Sequence, residues 1–366
     1  MKSLRFRSQV PIADSARAVL GVGFGLIIMF ALVRIFVVNS FDFDNMRAGT
    51  RALLSGANPW ASPTRVSNFY NPPFAVLFLW PMVFASPNIY LAIGGALLFG
   101  VAFYQRAWVA LAWFATNTLL WLIAAGGIDM FVIGAGLLLL LAGDKFYRDW
   151  PGLILRVLAY GVLMVKPQGT IFIVVLYILI RRDWKGLLIS AVVYGLLFLP
   201  WYPAWLNVLL HDPPLAQSDA THTFWAKFGP GVAGIIAVSV ILARRWKYWQ
   251  LGGALAGILT PYGMPGLPIF LVLTSVESLK AIPVIIIWSA CLAALTWVSP
   301  PAGVDYYSFV SPRMAIYHLS MLGLALALAC LSRGSEDRDS IAVGEWIRSF
   351  WLRLANKPKA EPQSLV

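Results

Sequence analysis

Two aspartates, Asp42 and Asp44, flank Phe43 in a polar stretch, residues 40–73, that separates two strongly apolar segments. The stretch also carries Arg47, Arg51 and Arg65, the turn Gly56-Ala57-Asn58-Pro59-Trp60 and the run Tyr70-Asn71-Pro72-Pro73. A carboxylate beside a membrane can take a proton from a hydroxyl, and partial desolvation makes it a stronger base. Helix capping is the plainer role. Asp44 can cap a short helix over residues 45–54, where the dipole favours negative charge. One cap needs one carboxylate, so Asp42 is the candidate general base and Asp44 suits either a cap or a supporting base.

Further along, Lys166 precedes Pro167-Gln168 between two apolar runs. It is either a lysine snorkelling to the interface or a cation for a phosphate, its charge kept from bulk water. Arg47, Arg51 and Arg65 compete for that role. Asp129 either caps a helix over residues 130–142 or supports the site by hydrogen bonding. His211-Asp212, Asp219 and His222 share one loop with Phe224 and Trp225. Their spacing fits no metal-ligand pattern, so no metal or other cofactor is expected. His222 near phosphate or sugar hydroxyls is the chemical reading of that loop; anchoring of the aromatic residues at headgroup level is the structural one.

The elements that must hold these residues are apolar. The 366-residue chain is 60% hydrophobic and 12% charged, against about 25% charged in soluble domains. Long uncharged runs at residues 19–38, 89–104, 187–200, 282–298 and 316–330 suit a bilayer core of roughly 30 Å. The fold class is therefore all-α and polytopic. The net charge of +12 comes from short basic clusters between apolar runs, which is the positive-inside pattern; nucleic acid is not an expected partner. Alternation of these clusters predicts about twelve crossings with both termini cytoplasmic and Asp42, Asp129, Lys166 and His222 facing outward.

Residues 73–86 break that alternation and are too short to span, so they read as a re-entrant or interfacial helix started by Pro72-Pro73. Residues 127–142, 151–165 and 168–180 predict short crossings. The first apolar run has no cleavage site after it and reads as a retained anchor. Residues 1–332 form the membrane body, with residues 39–72 its first outer loop. Residues 333–366 form a cytoplasmic tail with an amphipathic helix over residues 341–354. Cys291 and Cys330 lie in apolar segments and read as buried thiols.

In chain order, Asp42-Phe43, Ala52-Leu53-Leu54-Ser55-Gly56, Asn58-Pro59-Trp60 and Tyr70-Asn71-Pro72-Pro73 resemble the bacterial family 87 glycosyltransferases. These belong to the C-type superfamily of polytopic enzymes that use polyprenyl-phosphate sugars. Looser similarity continues at Gly127-Ile128-Asp129, Val165-Lys166-Pro167 with Arg181-Arg182, and Thr260-Pro261-Tyr262. Trp60 stands where the family has tyrosine and Asp129 where it has an amide.

The resemblance implies a C-type membrane fold in the bacterial plasma membrane with its site on the extracytoplasmic face. It implies an inverting transfer of a hexose, mannose first, from a polyprenyl-phosphate donor to a glycolipid or glycan acceptor. Asp42 takes the catalytic position, with Asp44 and Asp129 as alternatives. Lys166, Arg47, Arg65 and His222 are candidates for the donor phosphate, and Tyr70, Asn71, Gln168 and Tyr262 for the substrate groove. The rival from another class is a transporter or flippase of lipid-linked saccharides, for which Arg34 and Arg156, both inside apolar runs, argue.

Overall fold

The computed structural model describes residues 12–36, 41–61, 64–66, 69–211, 222–261, 265–304 and 306–332, with isolated positions between 342 and 352. Among the described residues the chain is helical, without a strand. Most of the tail expected to carry an amphipathic helix lies outside them, as do Asp212, Asp219 and Tyr262.

Among the described residues four helices are long and apolar enough to cross a membrane: Asp14–Ile35, Pro87–Gln105, Phe224–Ala243 and Phe309–Leu331. Two bent pairs raise the number to six if each pair is one span. Trp150–Leu163, Pro167–Arg181 and Ala281–Thr296 are apolar but shorter. At 1.5 Å per residue, Trp150–Leu163 reaches only about 21 Å of a core of roughly 30 Å. Length and composition thus give four to six candidate crossings among the described residues. Large side chains stand exposed on the long helices, among them Val19, Ile27, Ile235 and Leu242, a surface that lipid covers at no cost.

Helix α1 (Ile12–Ile35) and α4 (Pro87–Gln105) pack antiparallel through small residues. A Cβ at Gly25 would lie 2.8 Å from the Ala96 backbone, and one at Gly95 would strike the Met29 side chain at 2.5 Å. Such close approach is how apolar helices gain packing where lipid offers no hydrophobic drive. Proline sets the first turn of α4, α7 (Trp150–Leu163) and α8 (Pro167–Arg181), where its missing N–H costs nothing. The segments expected as short crossings, residues 151–165, 168–180 and 127–142, fold as the helices α7, α8 and α6 (Asp129–Lys145).

The first bent pair breaks by 62° between Trp108–Ala115 and α5 (Asn117–Ala125). The break leaves amides without helical partners, a costly state at membrane depth. Hydroxyls from neighbouring helices fill the gap. The Asn117 amide donates to Ser289 Oγ at 3.1 Å and the Thr118 amide to the Tyr317 hydroxyl at 3.1 Å.

Arg156 is also satisfied. Its guanidinium donates to Asp183 at 2.7 Å and to the Gly143 and Tyr147 carbonyls, and the Tyr160 hydroxyl donates to the same carboxylate at 2.7 Å. Both members of the pair are 3% exposed. Each buried charge therefore has a counter-charge and its hydrogen bonds. Cys291 is exposed and Cys330 partly so, rather than buried; α14 (Ala281–Thr296) turns much of its apolar surface outward.

Candidate functional site

The first part of the polar stretch folds as helix rather than loop. Helix α2 spans Phe41–Leu54, starting earlier than a helix capped by Asp44 would. Its buried face is Phe43, Met46 and Thr50, with Leu53 packed alongside, the i, i+3, i+7, i+10 spacing of one helical stripe. Asp44 sits within the first turn, 54% exposed and 3.7 Å from Arg47. It favours the dipole and takes no part in the charge cluster described below.

Residues 73–83 form a chain of short turns, Pro73–Ala75, Val76–Leu79 and Trp80–Val83. A short apolar helical segment thus stands where a helix was expected after Pro72-Pro73. Leu79 and Met82 are buried while Trp80 and Phe84 are exposed. Its end is capped from α2: Arg47 donates to the carbonyls of Met82 at 3.2 Å and Ala85 at 2.7 Å, and Arg51 to Val83 at 3.3 Å. Cations at terminal carbonyls satisfy groups the helix cannot. Arg47 also lies over the Phe43 ring at 4.7 Å.

Three charges from distant parts of the chain meet beside this platform. Lys166 Nζ donates to Asp42 Oδ2 at 2.8 Å and to Asp129 Oδ2 at 3.0 Å. The two carboxylates therefore lie within about 6 Å of one another. Lys166 is 11% exposed and the aspartates 27% and 29%, so the cluster is sheltered yet reachable from water on the carboxylate side. Burial pulls the Lys166 ammonium's pKa down, but the charges and hydrogen bonds of Asp129 and Asp42 outweigh it and hold the net value up. With one cation and two anions the group carries one net negative charge.

The immediate neighbours of these residues explain their convergence. Phe43, Ile128 and Val165, each adjacent in sequence to one of the three, are all buried in one apolar cluster with Trp60, Phe69, Leu79 and Tyr90. Trp60 stacks on Phe69 at 5.7 Å, and Gly49 lies so close that a Cβ there would fall 2.3 Å from the Phe69 ring. Asn71, 5% exposed, donates from Nδ2 to the Val165 carbonyl at 2.9 Å, tying Tyr70-Asn71 to the residue before Lys166. Trp205 donates to the Tyr70 carbonyl at 2.9 Å. The Tyr70 hydroxyl is buried without a hydrogen bond among the described residues, and burial raises its pKa against the pull of Arg65. Thr260 Oγ1 donates to the Gln168 carbonyl at 2.7 Å, so the Thr260 turn also abuts the site.

Of the expected residues, Asp42, Asp129 and Lys166 meet directly, and Asn71, Tyr70 and Gln168 border them through backbone contacts. Arg65 is exposed. His222 goes elsewhere: 2% exposed, it stacks on fully buried His318 with ring centroids 5.5 Å apart. Burial, aided by Lys227, lowers the His222 pKa to about 4. His318 was not singled out by motif, although a histidine inside the apolar run of α15 (Tyr306–Leu331) is the kind of residue that marks a site in a membrane helix. Among the described residues no cluster of three or more His, Cys, Asp or Glu could hold a metal. Compared with known proteins, the chain matches no protein-family model, and no curated protein sequence or solved structure is detectably similar to it.

Proposed function

We propose that the chain is a membrane hexosyltransferase that moves a sugar, mannose first, from a polyprenyl phosphate to a lipid-borne or periplasmic acceptor on the extracytoplasmic face. The observation that carries this reading is the convergence of Asp42 and Asp129 on Lys166 beside a short non-spanning helix. The motif resemblance to family 87 glycosyltransferases supports it independently. The topology that goes with it has about twelve crossings, the shorter apolar helices included, with both termini cytoplasmic.

In the proposed reaction an acceptor hydroxyl attacks the anomeric carbon as the bond from that carbon to the phosphate oxygen breaks. The hydroxyl proton passes to Asp42, and polyprenyl phosphate leaves with the bonding electrons. The negative field of the Asp42–Asp129 pair favours the oxocarbenium-like charge that develops on the sugar. Lys166 is the cation for the leaving phosphate. At rest it is engaged by both aspartates. Its turn toward an arriving phosphate leaves Asp42 without its counter-ion and ready to accept a proton, while Asp129 keeps the lysine anchored. Arg47 acts at a distance, by holding the end of the 73–83 segment.

The test is transfer of labelled mannose from polyprenyl-phosphate mannose into a membrane lipid extract by the purified protein. Asp42→Asn is expected to fold and to abolish transfer, whereas Asp44→Asn is expected to retain it. A stable, active Asp42→Asn protein would refute the base assignment.

A flippase reading is favoured by one observation, the two spans bent by 62° and 63°, since transporters use discontinuous helices around their substrate. Movement of a labelled lipid-linked saccharide across proteoliposomes without chemical turnover would establish it instead.

A further inference from the structure

A polar cavity, ≈ 280 Å³, lies at the far end of two helices whose near ends abut the Asp42 site. Two elements independently establish the separation. Helix α4 runs from Ser86, next to the Ala85 carbonyl that Arg47 binds, to Gln105 and Arg106 in the cavity wall. Its 19 residues cover about 28 Å. Helix α12 (Tyr248–Leu259) runs from Lys247, in the cavity wall, to Thr260, which binds the Gln168 carbonyl. The cavity and the carboxylate cluster thus open at opposite ends of the helical bundle.

Among the described residues three cations line the cavity, Arg106, Arg244 and Lys247, the last donating to Gln105 Oε1 at 3.3 Å, with Glu277 as the one carboxylate. Arg244 is 9% exposed. Among the described residues its guanidinium donates to the backbone carbonyls of Arg245 and Ser275 at 3.3 Å and to that of Ala329, and it lies over the Trp246 ring at 5.1 Å. Glu277 is the one carboxylate in this wall among the described residues, so the cations outnumber it and the cavity can take a further anion. Arg106 is exposed and makes no side-chain hydrogen bond or ion pair among the described residues. Trp108, in the cavity wall, is 42% exposed, and Leu279, two residues after Glu277 in the chain, is 57% exposed. An indole beside fixed cations at the end of apolar helices matches the headgroup level of a bilayer.

We infer that this cavity binds the phosphate of an anionic phospholipid from the leaflet opposite the Asp42 site. The phosphate meets Arg244 and Arg106, Lys247 closes over it, and the acyl chains leave past Trp108 and Leu279. Nothing in this inference depends on the transfer reaction proposed above.

The test measures binding of phosphatidylglycerol to the full chain in neutral-lipid nanodiscs, with phosphatidylcholine as the neutral arm and soluble glycerol phosphate as the free-phosphate arm. Phosphatidylglycerol is expected to bind preferentially. Arg106→Gln is expected to weaken it about fivefold and Arg106→Gln with Lys247→Gln about 25-fold, from the usual effect of one basic residue near a headgroup. Arg106 is exposed, so the single variant tests the site even if Lys247→Gln perturbs the fold. Lys280, exposed and outside the cavity, is the control, and Lys280→Gln is expected to change binding less than twofold. Equal losses for Lys280→Gln and Arg106→Gln would mean diffuse surface charge and overturn the site. Glycerol phosphate binding as tightly as the lipid would overturn the lipid assignment, and undiminished binding by the double variant would overturn both.

Discussion

Replacing Lys166 by methionine removes the one cation between two carboxylates and keeps most of the side chain's volume. The variant loses both ion pairs and leaves Asp42 and Asp129 within about 6 Å of each other without a counter-ion. Breaking a fully buried pair costs about 3–5 kcal/mol. The carboxylates here keep 27% and 29% exposure, so solvent screening brings the expected loss to about 2–4 kcal/mol. At an effective dielectric of about 20, repulsion at 6 Å is roughly 3 kcal/mol, and screening halves it.

Adding Asp129→Asn to Lys166→Met should therefore recover about 1–2 kcal/mol, although Asp129→Asn alone destabilises. Unfolding in mixed micelles reads the order: wild type above the double variant, the double variant above Lys166→Met. A double variant no more stable than Lys166→Met would refute the shared-lysine arrangement. The pH profile adds a second reading. The Lys166 pKa is raised on folding above its ordinary 10.5, so its contribution is complete below that value. It is lost only as the pH climbs through the elevated folded value. The difference between wild type and Lys166→Met should stay flat from neutral pH up to the ordinary lysine range, apart from titration of the carboxylates themselves in acid.

Gly49→Ala places a methyl 2.3 Å from the buried Phe69 ring and should cost about 1–3 kcal/mol, measured by the same unfolding assay. Arg47→Gln removes two side-chain bonds to the end of the 73–83 segment; hydrogen exchange of amides 82–85 should quicken while exchange in α4 stays unchanged. His222 has a folded pKa of about 4 against 6.5 for the free side chain. The unfolded chain therefore binds more protons between those values, and stability falls as the pH drops from 6.5 toward 4, by up to about 3 kcal/mol. His222→Phe should flatten that limb of the stability profile, and an unchanged acid limb would show that the ring is not held neutral.

The helix starts were legible because their cause is local. Pro73 stands in a first turn as the Pro72-Pro73 pair led one to expect, where proline's fixed φ helps, and Asp129 opens α6; Pro87 and Pro167 act the same way but were not read as starts. The stripe of Phe43, Met46 and Leu53 also lay open in the sequence, but the aspartates and arginines among them read as loop polarity, so α2 was expected to begin later. Long-range pairing was hidden. Asp42 and Lys166 are 124 positions apart, and spacing cannot reveal which acid meets which base across such a distance. Arg156 looked like an unpaired intramembrane charge because Asp183 lies beyond the next helix. His222 was read as a loop residue facing substrate; its stacking on His318 depends on how α15 packs, which no local pattern encodes. The count of crossings rested on charge alternation, whereas helix length depends on where the chain turns inside the body.

Because Phe43, Ile128 and Val165 are locked into a single apolar cluster, the backbone separations among the three charged side chains do not depend on the ammonium that joins them. The scaffold comes first and the electrostatic links second. Swapping a counter-ion there asks only for side-chain rotation, on the nanosecond scale, rather than a shift of whole helices. A pocket assembled this way is pre-shaped for exchange, and visiting groups can trade places with the lysine while the framework stands still.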